Sequence, residues 1–296
     1  MSLSICLLNY NSYPDTIECI DSLLKQTVSD FDIIVVDNCS TNNSMQIITN
    51  YLNDKEITYL SYCHKNSQFT QITPESNKKP NVYLISNDAN NGFSSGNNIA
   101  IRFSNSYLLN SRLLLLNNDT VVESDFIRLM SEEYERLQKI HQAPIAMGAT
   151  ENSYYTRKET HTGFHYLHLL SGLALTKCVF PCFKYICGAC LMIDNQAPLM
   201  NENYFLYFED AEFSKQLQAN GYILCTSGKA NYFHKVSSSM TDSSVMIQHQ
   251  FNSMWKFYRY HYRSYIPFVF LIRCLEYILM LRFKTVKLLY TTLKNK

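Results

Sequence analysis

Four short and mainly apolar runs constrain this chain more than any other feature: Leu3–Leu8, Phe31–Val36, Val82–Ile85 and Leu113–Leu116. Each is followed within two residues by Asn or Asp, at Asn9, Asp37, Asn87 and Asn117. Runs this short and this apolar read as strands covered on both faces, the situation of parallel strands sheathed by helices. Helix signals separate them. Ser12 and Pro14 precede the 3.6-period set Ile17, Ile20 and Leu24; a second helix is expected near Met45–Leu52; and an amphipathic one follows the Asn/Gly/Ser cluster Asn87–Asn98, running to about Leu109. Strands alternating with helices predict an α/β fold with a mostly parallel sheet, whose ligand sits at the carboxyl ends of the strands. The polar residues Asn9, Asp37, Asn90–Asn98 and Asp119 all fall there.

A further strand is expected around Ile57–Leu60, and His64–Pro80, polar and containing Pro74 and Pro80, reads as a mobile loop insertion. Past Asp119, a charged helix is predicted from about Ser124 to His141. Thr150–Tyr185 is rich in Tyr and His, lacks clear periodicity, and is expected to form an acceptor-side surface. Cys187–Ile193 reads as a buried strand, Asp210–Asn220 as a helix capped by Gly221, and Tyr222–Thr226 as a strand leading to a polar loop with His234.

The chain has only 8 Gly and neither GxGxxG nor GxxxxGK[ST], so any nucleotide is held without a glycine-cradled phosphate loop. With 46% hydrophobic residues it is not a disordered chain. Charge is uneven: Lys256–Lys296 carries nine Lys or Arg against Glu276 alone, a net +8, leaving −7 on the first 255 residues. A mildly acidic body with a basic, aromatic tail points to an anionic membrane surface at the tail rather than to nucleic acid. Tyr265–Leu281 is strongly apolar, but Arg273 and Glu276 lie within it, which disfavours a spanning helix. An in-plane amphipathic helix and a helix packed on the preceding domain both remain open. The N-terminus has no basic region before its first strand, so no signal peptide is read and a cytoplasmic location is expected.

Particular residues invite chemistry. Asp37 at a strand end can accept the N3 proton of a pyrimidine, or make an Asx turn or helix cap. Strand alternation would aim Asn117 and Asp119 the same way, an oxygen pair suited to a hard divalent cation on a diphosphate, unless they form a simple polar turn. Glu209 and Asp210 open a helix, whose N-terminus favours an ionised carboxylate that can act as a base or merely as a cap. Cys178, Cys182, Cys187 and Cys190 have zinc-like spacing, but their two halves lie too close for a ribbon.

The ordered series LLNYN (7–11), IIVVDNCST (33–41), NNGFSSGNN (90–98), LLLLNNDTVV (113–122), GAC near 188, FLYFEDAEFSKQLQANGY (205–222) and His234 resembles the inverting family 2 glycosyltransferases of GT-A fold, in particular a rhamnosyltransferase-like branch. The resemblance spans roughly residues 3–235 and implies a GT-A domain over 1–240. Its nucleotide-binding half would be 1–122 and its acceptor and catalytic half 123–240, with 241–296 as a helical, membrane-associating tail. It implies that Asn9, Asn11, Asp37 and Asn38 hold the nucleoside and that Asn91, Gly92, Gly96 and Asn97 lie near the ribose and diphosphate. Asn117, Asn118 and Asp119 would match a D-x-D metal motif, with Asn118 counted among the nucleotide-sugar contacts and Asn117, Asp119 and the later His234 taking Mg²⁺ or Mn²⁺. Asp210 matches the catalytic base and Glu209 the acid before it. Departures are Asn117 in place of the first metal carboxylate, Glu212 where Asp is commoner, and Lys215–Gln218 where Arg is frequent. The donor implied is a UDP- or dTDP-linked sugar, with rhamnose a candidate. The acceptor implied is a glycan hydroxyl on a lipid-linked cell-surface polysaccharide precursor, on the inner face of the plasma membrane. A sugar nucleotidyltransferase would need a Gly/Arg-rich signature after the first strand, which LLNYNSYPD lacks. A non-catalytic sugar-nucleotide or carbohydrate binding module is the other alternative, favoured by Asn117 and opposed by Asp119 and Asp210.

Overall fold

The computed structural model describes residues 2–73, 82–236 and 244–294. In chain order the elements are β1 (Leu3–Asn9), α1 (Tyr13–Leu24), β2 (Phe31–Asp37), α2 (Ser44–Asp54), β3 (Tyr59–Lys65), β4 (Gln68–Gln71), β5 (Val82–Asn87), α3 (Phe93–Phe103), β6 (Arg112–Asn117), β7 (Thr120–Val122) and α4 (Phe126–His141). They continue with β8 (Ile145–Ser153), β9 (Glu159–His161), β10 (Phe164–His168), β11 (Leu173–Leu175), β12 (Cys182–Ile186), β13 (Cys190–Asp194), α5 (Glu209–Ala219), β14 (Ile223–His234), α6 (Ser244–His261), α7 (Ile266–Leu279) and α8 (Phe283–Lys294).

The main sheet has the order β4-β3-β5-β2-β1-β6-β13-β8-β14-β7, with β9 added beside β8. Strands β3, β5, β2, β1 and β6 are mutually parallel, as the apolar runs predict. Their side chains feed two apolar clusters, one on each face: Ile5, Leu7, Ile33 and Val35 on one side, Cys6, Ile34, Val36 and Leu115 on the other. Register then brings the carboxyl ends level, with Asn9 opposite Asp37 and Leu8 opposite Asn117. Because β2 and β6 flank β1, the strand order reverses there, and the crevice opens between them.

Several expectations are revised. The segment from His64 is not a loop throughout: β3 runs on to Lys65 and turns back through β4, with Phe69 packing on His64 and Phe103. The rest of that expected loop, 74–81, lies outside the described residues. Thr150–Tyr185 is largely strand, in short pieces that leave no long period to read: the end of β8, then β9, and a separate sheet β11-β10-β12. The strand expected over Cys187–Ile193 is split, because Cys187–Ala189 forms the turn that leads into β13. Strand β14 does not stop at Thr226 but continues to His234 after a bulge between Ser227 and Asn231.

Helices α6, α7 and α8 bury a third cluster. Phe251, Trp255, Phe257 and Tyr258 of α6 meet Leu167, Phe183, Tyr204 and Ala211, while Val269, Tyr277 and Leu289 close it from α7 and α8. The Trp255 indole N–H donates to Thr292 Oγ1 at 3.2 Å. Truncating this fully buried side chain removes packing common to all three helices and the one hydrogen bond that ties α6 to Thr292 of α8. Trp255→Ala is therefore expected to cost about 3–5 kcal/mol, read by calorimetry as a lower midpoint of the main unfolding transition; an unchanged midpoint would show that α6–α8 do not share in it.

Candidate functional site

Backbone register sets the first layer of the site. At the end of β1, Asn9 donates from Nδ2 to Asp37 Oδ1 (2.6 Å), and its Oδ1 accepts from Thr16 Oγ1 (2.8 Å). Thr16 in turn accepts from Asn118 Nδ2 at 2.8 Å. Asp37 also accepts from Ser40 Oγ (2.6 Å) and Ser40 N (3.1 Å), so it makes the turn that the sequence allowed it. Asn11, with a left-handed φ of 55°, accepts from Thr41 N at 2.8 Å and Asn42 N at 3.2 Å. Asn38 donates to Asn90 Oδ1 and the Gly92 carbonyl and accepts from Asn87. The structure thus joins Asn9, Asn11, Asp37 and Asn118 by side chains and the turn hydroxyls between them, and Asn38 to Asn9 by its backbone N–H on the Asn9 carbonyl at 2.8 Å, at one end of the sheet.

Gly92 is required where it stands: φ is +92°, and a Cβ would lie 2.3 Å from the Phe205 carbonyl oxygen. Phe93 N–H donates to that same oxygen at 2.8 Å, pinning the start of α3 to the segment before Glu209. Gly96 lets α3 approach Leu8, whose Cδ1 would be 2.3 Å from an added Cβ. Asn97 is buried and donates to the Phe93 carbonyl one turn earlier, whereas Asn91 is exposed.

The chain leaves β6 at Asn117, and Asn118–Asp119 is a turn, so strand alternation does not carry through to Asp119. Asp119 turns instead toward β14, where His234 Nε2 lies 3.0 Å from its Oδ1. His234 is a strand residue rather than a loop residue, fixed from its other side by Glu151 Oε2, 2.8 Å from Nδ1. Between two carboxylates, its ring is held up to about 9 by those hydrogen bonds and charges, which outweigh the opposing effect of burial. A carboxylate oxygen and an imidazole nitrogen at hydrogen-bond distance, the imidazole braced by a second carboxylate, are a donor set that fits a divalent ion such as Mn²⁺. Asn117 sits at the same strand end but is linked to neither residue by a side-chain hydrogen bond among the described residues. A second group of possible ligands, His161, His165 and Cys187, has its ligand atoms within 4.8 Å of one another. There, however, His161 Nδ1 already accepts from Gly163 N at 3.0 Å, and its Nε2 faces Glu151 Oε2 at 3.3 Å without hydrogen-bond geometry.

Glu209 and Asp210 start α5 as expected, but the helix terminus does not keep both ionised. Burial pushes both carboxyls up, and the charge of Asp210 pushes Glu209 further. Glu209 is therefore the member that holds a proton near neutrality, with its Oε2 buried and unpartnered. Asp210 accepts from Ala211 N (2.8 Å) and Gly188 N (3.3 Å), which favour its charged form. The adjacent Ala189 carbonyl accepts Asn117 N–H at 2.9 Å. Two consecutive residues thus tie the carboxylate at the start of α5 to the end of β6.

Sequence reasoning missed the residues that shape this arrangement from a distance. Tyr207 and Phe208 both have left-handed φ, at 66° and 64°, just before Glu209. Ser253 Oγ of α6 donates to the Leu206 carbonyl at 2.9 Å, and Phe257 packs on Phe208 with ring centroids 5.6 Å apart. Glu151 was equally invisible, since its partner His234 lies 83 residues away across the β14 bulge.

Comparison with known proteins agrees with this geometry. No curated protein sequence matches the chain. Among solved structures, Staphylococcus aureus TarS 1–349 in complex with UDP superposes with a TM-score of 0.52 and 14% identity, covering 99% of this chain and 90% of that one. GalNAc-T7 with UDP, GalNAc and Mn²⁺ gives a TM-score of 0.64 at 12% identity, over 88% of this chain and 49% of the other. The mannosyltransferase PcManGT from Pyrobaculum calidifontis, with GDP-Man and Mn²⁺, gives 0.56 at 10% identity, over 98% and 73%. These likenesses are of fold, that of GT-A glycosyltransferases. The family Glycosyl transferase family 2 matches residues 4–194, nearly two thirds of the chain, and the protein belongs to that family.

Proposed function

We propose that this protein transfers a sugar from a nucleoside diphosphate donor to a hydroxyl of a glycan acceptor, with inversion at the anomeric carbon. The observation that carries the reading is the Gly188–Ala189 turn, which holds Asp210 and the end of β6 in one framework. A base and a charge-binding edge on opposite sides of one cleft suit a single displacement.

In this reading residues 1–122 hold the donor and 123–240 the acceptor. The nucleoside lies against Asn9, Asn11, Asp37 and Asn38, with Asp37 on a pyrimidine, which favours UDP- or dTDP-linked donors. The ribose and diphosphate run past Asn91, Gly92, Gly96, Asn97 and Asn118. Asp119 and His234, with Asn117 beside them, would hold Mg²⁺ or Mn²⁺, and that ion when bound offsets charge on the departing diphosphate. Asp210 takes the proton of the acceptor hydroxyl as that oxygen attacks the anomeric carbon opposite the leaving group. Glu209, kept neutral, leaves the negative charge on Asp210 alone.

The tail reading follows from α7. Arg273 and Glu276, which argued against a spanning helix, face inward and pair at 2.6 Å, and no helix among the described residues is long and apolar enough to cross a membrane. The outward face carries Phe268, Leu271, Leu275 and Leu279, all more than half exposed, flanked by Arg263, Arg282, Lys284 and Lys287. An exposed apolar helix face flanked in sequence by cations suits an anionic bilayer surface, and the acceptor is then a lipid-linked glycan at the inner leaflet.

Four measurements test these readings. Thermal unfolding with UDP, dTDP, GDP or CMP, each with Mn²⁺ or EDTA, is expected to show a metal-dependent rise with UDP or dTDP, about 2.7 kcal/mol at 100 times Kd; no rise with any nucleotide argues for a different function. Asp210→Asn is expected to lower kcat by roughly 10²–10⁴ while UDP binding is kept. Since Asp210 must be ionised to accept a proton, kcat/KM falls as pH drops through its raised pKa. The acid limb should thus lie above the ordinary carboxylate range, and Glu209→Gln should leave it in place. Because deleting the tail would uncover the third core cluster, membrane binding is better tested in the full chain: Leu271→Glu with Leu275→Glu should abolish co-sedimentation with anionic vesicles, and undiminished binding would remove α7 from that role.

A further inference from the structure

Glu151 stands near the carboxyl end of β8, opposite Tyr232 of β14 and His161 of β9. It is 5% exposed, and three side chains donate to it. Oε2 takes His234 Nδ1 at 2.8 Å and Tyr232 OH at 3.1 Å, with His161 Nε2 at 3.3 Å, while Oε1 takes Thr160 Oγ1 at 2.8 Å. A buried carboxylate is tolerated only when its polar atoms are compensated, and here two hydroxyls and the His234 imidazole converge on it. The bulge in β14 inserts residues 228–230 between the pairs Ser227–Ala149 and Asn231–Thr150. The bulge is what sets Tyr232 and His234 in line with Glu151.

An anionic acceptor at Nδ1 has one consequence for the ring. It keeps a hydrogen on Nδ1, so that Nε2, which faces Asp119 Oδ1 at 3.0 Å, is the nitrogen that gives up its hydrogen to ligate when a cation binds. We propose that Glu151 is the positioning residue of the metal site: it selects the Nδ1–H tautomer of His234 and holds the ring so that Nε2 and Asp119 present one binding edge to a divalent cation. Tyr232 and Thr160 are its supports, and His161, rather than serving as a ligand of a second metal, completes the shell around Glu151. The proposal rests on the metal-dependent transfer reading, yet it concerns binding rather than turnover.

Mn²⁺ binding in the presence of UDP, followed by the loss of the free-ion EPR signal, separates the two. Wild type is expected to bind, and Glu151→Gln to bind 10–100-fold more weakly, with UDP binding in EDTA unchanged and kcat recovered at raised Mn²⁺. Equal Mn²⁺ affinity in wild type and Glu151→Gln overturns the role of Glu151, whereas no Mn²⁺ binding by wild type overturns the metal-dependent reading itself. If Glu151→Gln does not fold, the wild-type protein still decides: in a ¹⁵N-histidine spectrum of the Mg²⁺–UDP complex, His234 carries its hydrogen on Nδ1, and an Nε2–H form rejects the proposal. Thr160→Val, which removes one exposed-strand support, should weaken Mn²⁺ binding by a smaller factor than Glu151→Gln, and an equal or larger loss also counts against it.

Discussion

The burial of both faces of β1, β2, β5 and β6 is the constraint from which the rest of this molecule follows. A parallel strand with apolar clusters on either side has nowhere to put a polar side chain except at its ends. At the amino ends, where the helical connections return to the sheet, polar residues serve structure: Asn110, for example, donates to Asp32 and Ser4. At the carboxyl ends the same restriction concentrates Asn9, Asp37, Asn87 and Asn117 in one line, and the β1–β2 register sets the first two side by side. The crevice is thus a by-product of making the sheet, and the turns that leave it carry the polar groups a nucleotide would need.

The two carboxylate clusters of the site solve opposite problems. Around Glu151, donors converge and the charge is retained, so the ring of His234 is gripped and its pKa lifted. Around Glu209 and Asp210 donors are few, and burial raises both, leaving one proton for two carboxyl groups near neutrality. Backbone amides, from Gly188 and Ala211, reach only Asp210. That asymmetry, rather than the helix terminus, decides which of two adjacent acids is free to accept a proton.

Much of the first half was legible because local patterns coincide with the fold there. The runs at Leu3, Phe31, Val82 and Leu113 are strands within a residue or two, and the cap and periodicity around Tyr13–Leu24 are a helix. Beyond Asp119 the sequence was less readable, since β9, β11 and β12 are three to five residues long and too short for a period to show. His64–Gln71 misled because a hairpin rich in polar residues looks like a loop until Phe69 finds Phe103. Of the site, strand-end residues could be read and their braces could not. Asp37 and Asp210 announce themselves by position, whereas Glu151 and Ser253 act through partners 83 and 47 residues away.

The C-terminal helices belong to this argument as well. Two successive left-handed residues, Tyr207 and Phe208, cost of order 1–2 kcal/mol each, and neither is glycine. Such a conformation persists only where its surroundings over-determine it. Here the supports are the Ser253 hydroxyl on the Leu206 carbonyl, Phe257 against Phe208, His249 stacked on Phe205 at 4.5 Å, and the Phe208 carbonyl receiving Glu212 N–H. Three of the four come from α6. Phe205 in turn meets Gly92 and Phe93 at the donor side. A helix whose neighbours α7 and α8 present an apolar, cationic face outward therefore reaches, through one strained turn, both the candidate base and the loop at the end of β5. The surface on α7 is thus two contacts from the chemistry: α7 packs on α6 in the third core cluster, and only the span from Leu206 to Asp210 separates α6 from the carboxylate that would take the proton.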